Sequence, residues 1–283
     1  MKKTLLSFAV IAAVCSAAET DVETLKVQIA DRESEVEALK KELAAAMGPE
    51  PEPLKTHAEL GYIKTNGNTE TESFSANLKI EKAFGDHLLR FDAEGYYSKE
   101  DEKETKNRWK AVGNYDYPET SSFMFNYMAG YEEDKFSGFD SQFYTGPGIK
   151  WKAIEPPAHQ LNLQANILYS SDDIADSIDP DTNATIKGET HDYAAFQAKL
   201  DYNWQISEDW KFIQIASYRA ELEEMGDNYF INSKTAVESK ISDIFSMGIS
   251  YTVDYKNDAP ADKEKTDSTF LISLIMDYNP IIF

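Results

Sequence analysis

The sequence predicts an all-β fold, a 12-stranded antiparallel transmembrane β-barrel with an N-terminal periplasmic α-helical coiled coil. Three observations lead there. Run after run alternates apolar and polar residues, connections alternate between tight and long, and large aromatics fall at both ends of the apolar register. Alternation of period two is the strand signature, and in barrels that span a membrane it is the whole signal.

Residues 1–18 read as an export signal. Lys2-Lys3 is a positive start, Leu5 to Val14 is a short apolar stretch, and Ser16-Ala17-Ala18 is a small-residue cleavage site. Cys15 lies within that segment, so the exported chain has no thiol or disulfide chemistry. The balance of 28 basic against 50 acidic residues, net charge −22, argues against nucleic acid as a partner. Aromatics at 12% and long patterned runs argue against disorder.

Residues 19–47 form the predicted coiled-coil helix. Val22, Leu25, Ile29, Val36, Leu39, Leu43 and Ala46 take heptad a and d positions, with Arg32 the discordant one. This segment predicts a homo-oligomer through residues 22–46, the alternative being one amphipathic helix on a partner surface. Gly48 ends it, and residues 48–55 carry a stiff Pro-rich linker, Pro49-Glu50-Pro51-Glu52-Pro53.

Residues 56–283 hold the predicted barrel. Its strands are expected over 56–65, 71–83, 87–99, 107–117, 122–133, 142–152, 160–171, 190–204, 210–224, 229–241, 245–257 and 266–279. Asn66-Gly67 is a hairpin signal between the first two. The strand at 122–133 sets Phe123, Phe125, Tyr127, Ala129 and Tyr131 on one face, and that at 245–257 sets Phe245, Met247, Ile249, Tyr251 and Val253 there. Connections such as 84–86, 118–121, 207–209 and 242–244 are tight, whereas 100–106, 134–141, 172–189 and 258–265 read as longer and acidic. A barrel with short periplasmic turns and longer outer loops shows that sorting. Tyr97, Trp109, Tyr131, Phe143, Tyr169 and Tyr255 make one aromatic girdle; Tyr117, Phe123, Trp151, Trp204, Trp210 and Phe245 make the other. Outer-membrane lipids are therefore the expected partner of the apolar face.

The opposite face becomes the lumen lining: Arg90, Asp92, Glu94, Lys110, Asp116, Lys150, Lys199, Asp201, Arg219, Glu221, Lys234, Glu238, Asp254 and Lys256. Interspersed signs suit either a lumen filled by ion pairs or a small aqueous passage.

The stretches Ala58-Glu59-Leu60-Gly61-Tyr62, Gly67-Asn68-Thr69, Asn107-Arg108-Trp109, Asp134-Lys135-Phe136-Ser137-Gly138 and Gly146-Pro147-Gly148 together resemble the YdiY-like family. Its members are described as salt-induced outer-membrane proteins and as a domain of unknown function. The resemblance covers residues 56–283; it implies an outer-membrane barrel and a link to salt or osmotic stress, and supplies no reaction.

Phe283 is the terminal aromatic that the barrel-assembly machinery would read. It is out of register with Phe270, Ile272, Leu274, Met276 and Tyr278, so a bulge is expected near Asn279-Pro280.

No catalytic residue and no cofactor is assigned. The histidines His57, His87, His159 and His191 lack the serine or zinc spacings that hydrolysis requires. Asp179, Asp181 and Asn183 begin like a calcium loop, but Ala184 and Thr190 stand where glycine and glutamate are needed. They leave at most a surface cation site. The leading reading is a non-enzymatic outer-membrane barrel, either a narrow cation-preferring pore or a structural envelope protein. The alternatives are a soluble periplasmic barrel that binds an apolar ligand and an outer-membrane hydrolase using His191.

Overall fold

The structure is a computed structural model that describes residues 54–65, 70–178, 184–259 and 264–278, with residues 24, 26–28, 30–32, 34–36 and 38–39 near the N-terminus. The strands are β1 (Lys55–Thr65), β2 (Thr71–Phe84), β3 (His87–Glu100), β4 (Lys103–Pro118), β5 (Phe123–Asp134), β6 (Phe139–Ile154) and β7 (His159–Ile174). They continue as β8 (Ser177–Ile178), β9 (Thr185–Ile186), β10 (Thr190–Gln205), β11 (Trp210–Glu221), β12 (Tyr229–Lys240), β13 (Phe245–Lys256) and β14 (Thr266–Tyr278). All but β8 and β9 form one closed barrel in which each strand pairs with its sequence neighbours and β14 returns to β1, Leu60 opposite Leu274. Closure gives every barrel strand a partner on both sides, the β1–β14 seam being the shortest with Thr56–Gly61 paired to β14; a sheet in lipid must close in this way.

The alternating register decides which side chains face out. Leu60, Phe74, Tyr127, Ile149, Ile167, Met247 and Leu274 all stand exposed on the outer wall. Most of the buried side chains among the described residues are polar, and Asp116, Asn126, Asn166 and Ser170 are almost fully enclosed. Apolar residues outside and polar ones inside invert the soluble pattern. A soluble barrel for an apolar ligand would need the reverse.

Two expected loops are shorter than the sequence suggested. In place of 100–106 the chain turns in two residues, Asp101 and Glu102, both at positive φ (47° and 64°). That is the twist-matched geometry of a two-residue hairpin. Charged side chains do not prevent backbone pairing outside the bilayer, and Lys99, just before this turn, pairs with Glu72 of β2 at 2.7 Å. In place of 134–141 a turn at 135–138 suffices, with Gly138 at φ 83°. The long connection after β7 carries the small β8–β9 hairpin, which the sequence pattern did not disclose. The strand expected over 210–224 ends at Glu221.

The N-terminal unit is a body of its own, and its described residues are helical, with Val27, Val36 and Leu39 exposed and an Arg32–Glu35 ion pair at 2.6 Å. The export signal, the remaining heptad positions, the linker residues 48–53, Asn66-Gly67, the Asp179–Asp181–Asn183 segment, the expected bulge at 279–280 and Phe283 lie outside the described residues.

Candidate functional site: the barrel lumen

The lumen is layered. Nearest the short turns is a cavity of about 650 Å³ lined by residues that include His57, Glu59, Lys79, Asp201, Lys234 and Asp277. Ion pairs ring it, Lys55–Glu81 at 3.2 Å, Lys211–Glu238 at 3.5 Å and Lys234–Glu59 at 3.1 Å, and His57 is hydrogen-bonded to Asp277 at 2.8 Å. Ser273 also donates to Glu59 at 2.6 Å. Lys79 lies directly across the β2–β3 ladder from Asp92, and Lys199 has Asp201 two residues along the same face. None of these four belongs to an ion pair within 4 Å among the described residues.

The next layer is anchored by Asp116, which is 1% exposed. It accepts from Arg90 at 2.6 Å, Lys150 at 3.3 Å and Asn126 at 2.6 Å. Asn126 in turn accepts from Gln164 at 3.0 Å and Asn166 at 2.8 Å, and Gln164 donates to Asn166 at 2.8 Å. A buried carboxylate needs such complete pairing, because an uncompensated charge in a dry interior is strongly destabilising.

Above it Met128, Tyr144, Leu168, Tyr193 and Ala195 pack into an apolar cluster, with Val112 against it. Gly130 makes room for the Tyr144 ring, since a Cβ there would lie 2.3 Å from it. Gly148 does the same for the Asn166 amide, also at 2.3 Å, and a Cβ on Gly146 would meet the Ile167 carbonyl at 2.1 Å. The Gly-Pro-Gly stretch thus lets β7 press close enough to close the polar layer.

Arg219 seals the outer side of this cluster. Its guanidinium lies 4.3 Å from the Tyr144 ring centre, 4.7 Å from that of Phe230, and 3.3 Å from Glu132. Lys110 reaches Glu132 at 3.8 Å, and Lys256 sits 4.8 Å from the Phe139 ring centre. Cations over aromatic faces in a desolvated setting are held firmly. Beyond them, Arg108 pairs with Asp254 and Lys106 with Asp267 at 3.3 Å. At the rim His191 meets Glu221 at 3.0 Å and stacks on Tyr193. His191 lies three residues outward of Ala194, the partner of girdle residue Tyr169, and so stands outside the span. The Glu221 hydrogen bond holds its pKa above the usual histidine value.

The fourteen residues expected in the lumen all lie on the face opposite the exposed apolar one, and the structure gathers them into these layers rather than one lining. Glu94 differs from the rest in being exposed although it shares the inward register of Arg90 and Asp92. Sequence reasoning missed Glu59, Arg108, Glu132 and Asp172 (which accepts from the Tyr193 hydroxyl at 2.9 Å) as partners, and missed the apolar cluster altogether. Gly130, which lies opposite Tyr144 across β5–β6, is where that cluster gains room for the ring.

Asp176, near the expected cation segment, is held by Lys187 at 2.6 Å and by the Gly188 amide at 3.0 Å. Among the described residues no group of three or more His, Cys, Asp or Glu is placed to hold a metal.

The sequence model of a family described as a protein of unknown function, DUF481, matches residues 58–278. No curated protein matches. Among solved structures, the NanC porin in its rhombohedral crystal form is similar at 11% identity and TM-score 0.43, covering 81% of this chain and 100% of that one. An outer-membrane channel of the COG4313 group from Pseudomonas putida F1 is similar at 7% identity and TM-score 0.47, with 82% and 97% covered. The translocator domain of the autotransporter NalP from Neisseria meningitidis gives 8% identity and TM-score 0.44, with 88% and 96% covered. These are likenesses of overall barrel shape, and no residue role transfers from them.

Proposed function

The chain belongs to the DUF481 family, which has no assigned function, and from its barrel we propose a non-enzymatic outer-membrane protein with a narrow, cation-preferring lumen. The observation that carries this reading is the inversion of the barrel: aromatic and aliphatic residues cover the outside, and ion pairs fill the inside. A membrane supplies the solvent that such an exterior needs.

Cation preference rests on which charges stay open. Arg90 and Lys150 share the buried carboxylate of Asp116, Arg219 pairs with Glu132, Lys79 and Lys199 have Asp92 and Asp201 as neighbours on the same face, and Glu94 stands exposed within the lumen. Acidic outer loops add to the same field. The packed cluster around Met128 keeps any passage narrow. His191 is hydrogen-bonded to Glu221 and stacks on the Tyr193 ring.

The N-terminal helix, on this reading, lies in the periplasm and joins copies of the chain through residues 22–46. The assembly machinery engages the C-terminal Phe283, and the acidic segment at Asp179, Asp181 and Asn183 lies on the outer surface. A role in salt or osmotic stress would appear as a growth defect of a deletion strain at high osmolarity.

Membrane residence is tested by alkaline extraction and by heat-dependent gel migration. Release into the supernatant at high pH would end the proposal. Planar-bilayer recording tests the lumen: small cation-selective steps are expected, and anion-selective steps would refute the preference.

A further inference from the structure

We propose that the outer wall of β2–β5 holds a binding groove for one acyl chain of an inner-leaflet phospholipid. This inference rests on the membrane reading above. The wall there is locally concave. Two neighbouring cross-strand rows define it, Ile80–Phe91–Gly113–Ala129 and Lys82–Leu89–Tyr115–Tyr127. In the first row Gly113 and Ala129 supply almost no side chain, while Phe91 rises beside them and Tyr115 and Tyr127 stand in the row below. One row further out, Ala93 and Ala111 continue the low floor. The result is a trough of about 390 Å³ with an almost wholly apolar surface.

Its place along the strands sets the occupant. β2 runs toward the short turn at Gly85-Asp86, so the groove lies in the half of the wall nearest the periplasm. Lys82 lines its end on that side, and its ammonium lies 5.7 Å from the Phe84 ring centre, at the level of the aromatic girdle. A cation at the headgroup level above an apolar trough matches a phosphate joined to an acyl chain. Small residues facing lipid are otherwise unfavourable, because they leave a gap that only a flexible chain can fill.

The floor is also open to direct challenge. A Cβ added at Gly113 would meet nothing closer than the Ala129 carbonyl oxygen at 4.0 Å, so a larger side chain fits without moving the backbone. Gly113→Leu should fill the trough and leave the barrel intact.

The test is native mass spectrometry of the full chain, purified in mild detergent after reconstitution with phosphatidylethanolamine and phosphatidylglycerol. Wild type should retain one phospholipid at detergent concentrations that strip the rest. Gly113→Leu should lower that occupancy at least tenfold, and Lys82→Ala should lower it less. Ala198→Leu, on a distant part of the lipid-facing wall, should leave it unchanged. Equal retention in wild type and Gly113→Leu would overturn the proposal as non-specific annular lipid, as would a loss of dimers in Gly113→Leu, which would make the trough an interface between copies. Retained heat-dependent migration in each variant shows that the barrel has formed. Release of wild type by alkaline extraction would instead count against the membrane reading itself.

Discussion

The short-turn end and the middle of the lumen solve the same problem of inward-facing charge in different ways. Near the short turns, Lys211 and Glu238 pair at 3.5 Å beside a cavity that admits water. In the middle, Asp116 is 1% exposed and is enclosed by Arg90, Lys150 and Asn126 beneath a dry cluster of Met128, Tyr144, Leu168 and Tyr193. Hydrated pairs contribute little to stability and are replaceable, whereas an enclosed pair is costly to break. The barrel is therefore expected to be rigid in its middle and adaptable at its periplasmic mouth.

The sharpest way to break this comparison is to remove one partner from each place. Asp116→Ala should destabilise the barrel by about 3–5 kcal/mol, since it strands Arg90 and Lys150. Glu238→Gln, at the vestibule, should cost under about 1 kcal/mol. Urea unfolding in detergent, followed by tryptophan fluorescence, would measure both. Equal losses would erase the distinction between the layers.

Tyr144→Ala attacks the dry cluster itself. It removes a ring that is 3% exposed and releases Arg219 from its aromatic seat, at a cost of about 3–5 kcal/mol. Conductance should rise several-fold if the cluster is what narrows the lumen. Gly148→Ala should cost about 1–3 kcal/mol, because its Cβ would overlap the Asn166 side chain and the Ala165 carbonyl oxygen.

Smaller effects are expected outside the span. Glu102 occupies the left-handed region at φ 64°, so Glu102→Gly should stabilise the barrel by about 1 kcal/mol. His191 carries a raised pKa from its bond to Glu221, and its side chain is 48% exposed. Its contribution is present below the unfolded histidine pKa and is lost as pH rises through the folded value. Solvent screening holds it under about 1 kcal/mol. Urea midpoints at pH 5.5 and 8 should therefore differ more in wild type than in His191→Asn.

What the sequence made legible follows the same division. Strand positions and the lipid-facing register could be read, because period two is a local signal and Phe123-Met124-Phe125-Asn126-Tyr127 carries it openly. The contacts across the lumen could not. Glu132 meets Arg219 across 87 residues of chain, and Lys234 meets Glu59 across 175, so each pairing depends on the stagger of the closed barrel. The inward Met128, Leu168 and Tyr193 interrupt runs of otherwise polar inward residues, and nothing local shows that they converge. Loop lengths at 100–106 and 134–141 were overestimated because charge there marks emergence from lipid, not the end of pairing.

The central claim is that the apolar wall meets lipid and that the inverted interior leaves a narrow passage. Single-channel recording of the purified full chain in a planar bilayer tests it most directly. The account predicts small, cation-selective steps that enlarge in Tyr144→Ala. Wide or anion-selective steps, or a chain that does not enter the bilayer, would contradict it.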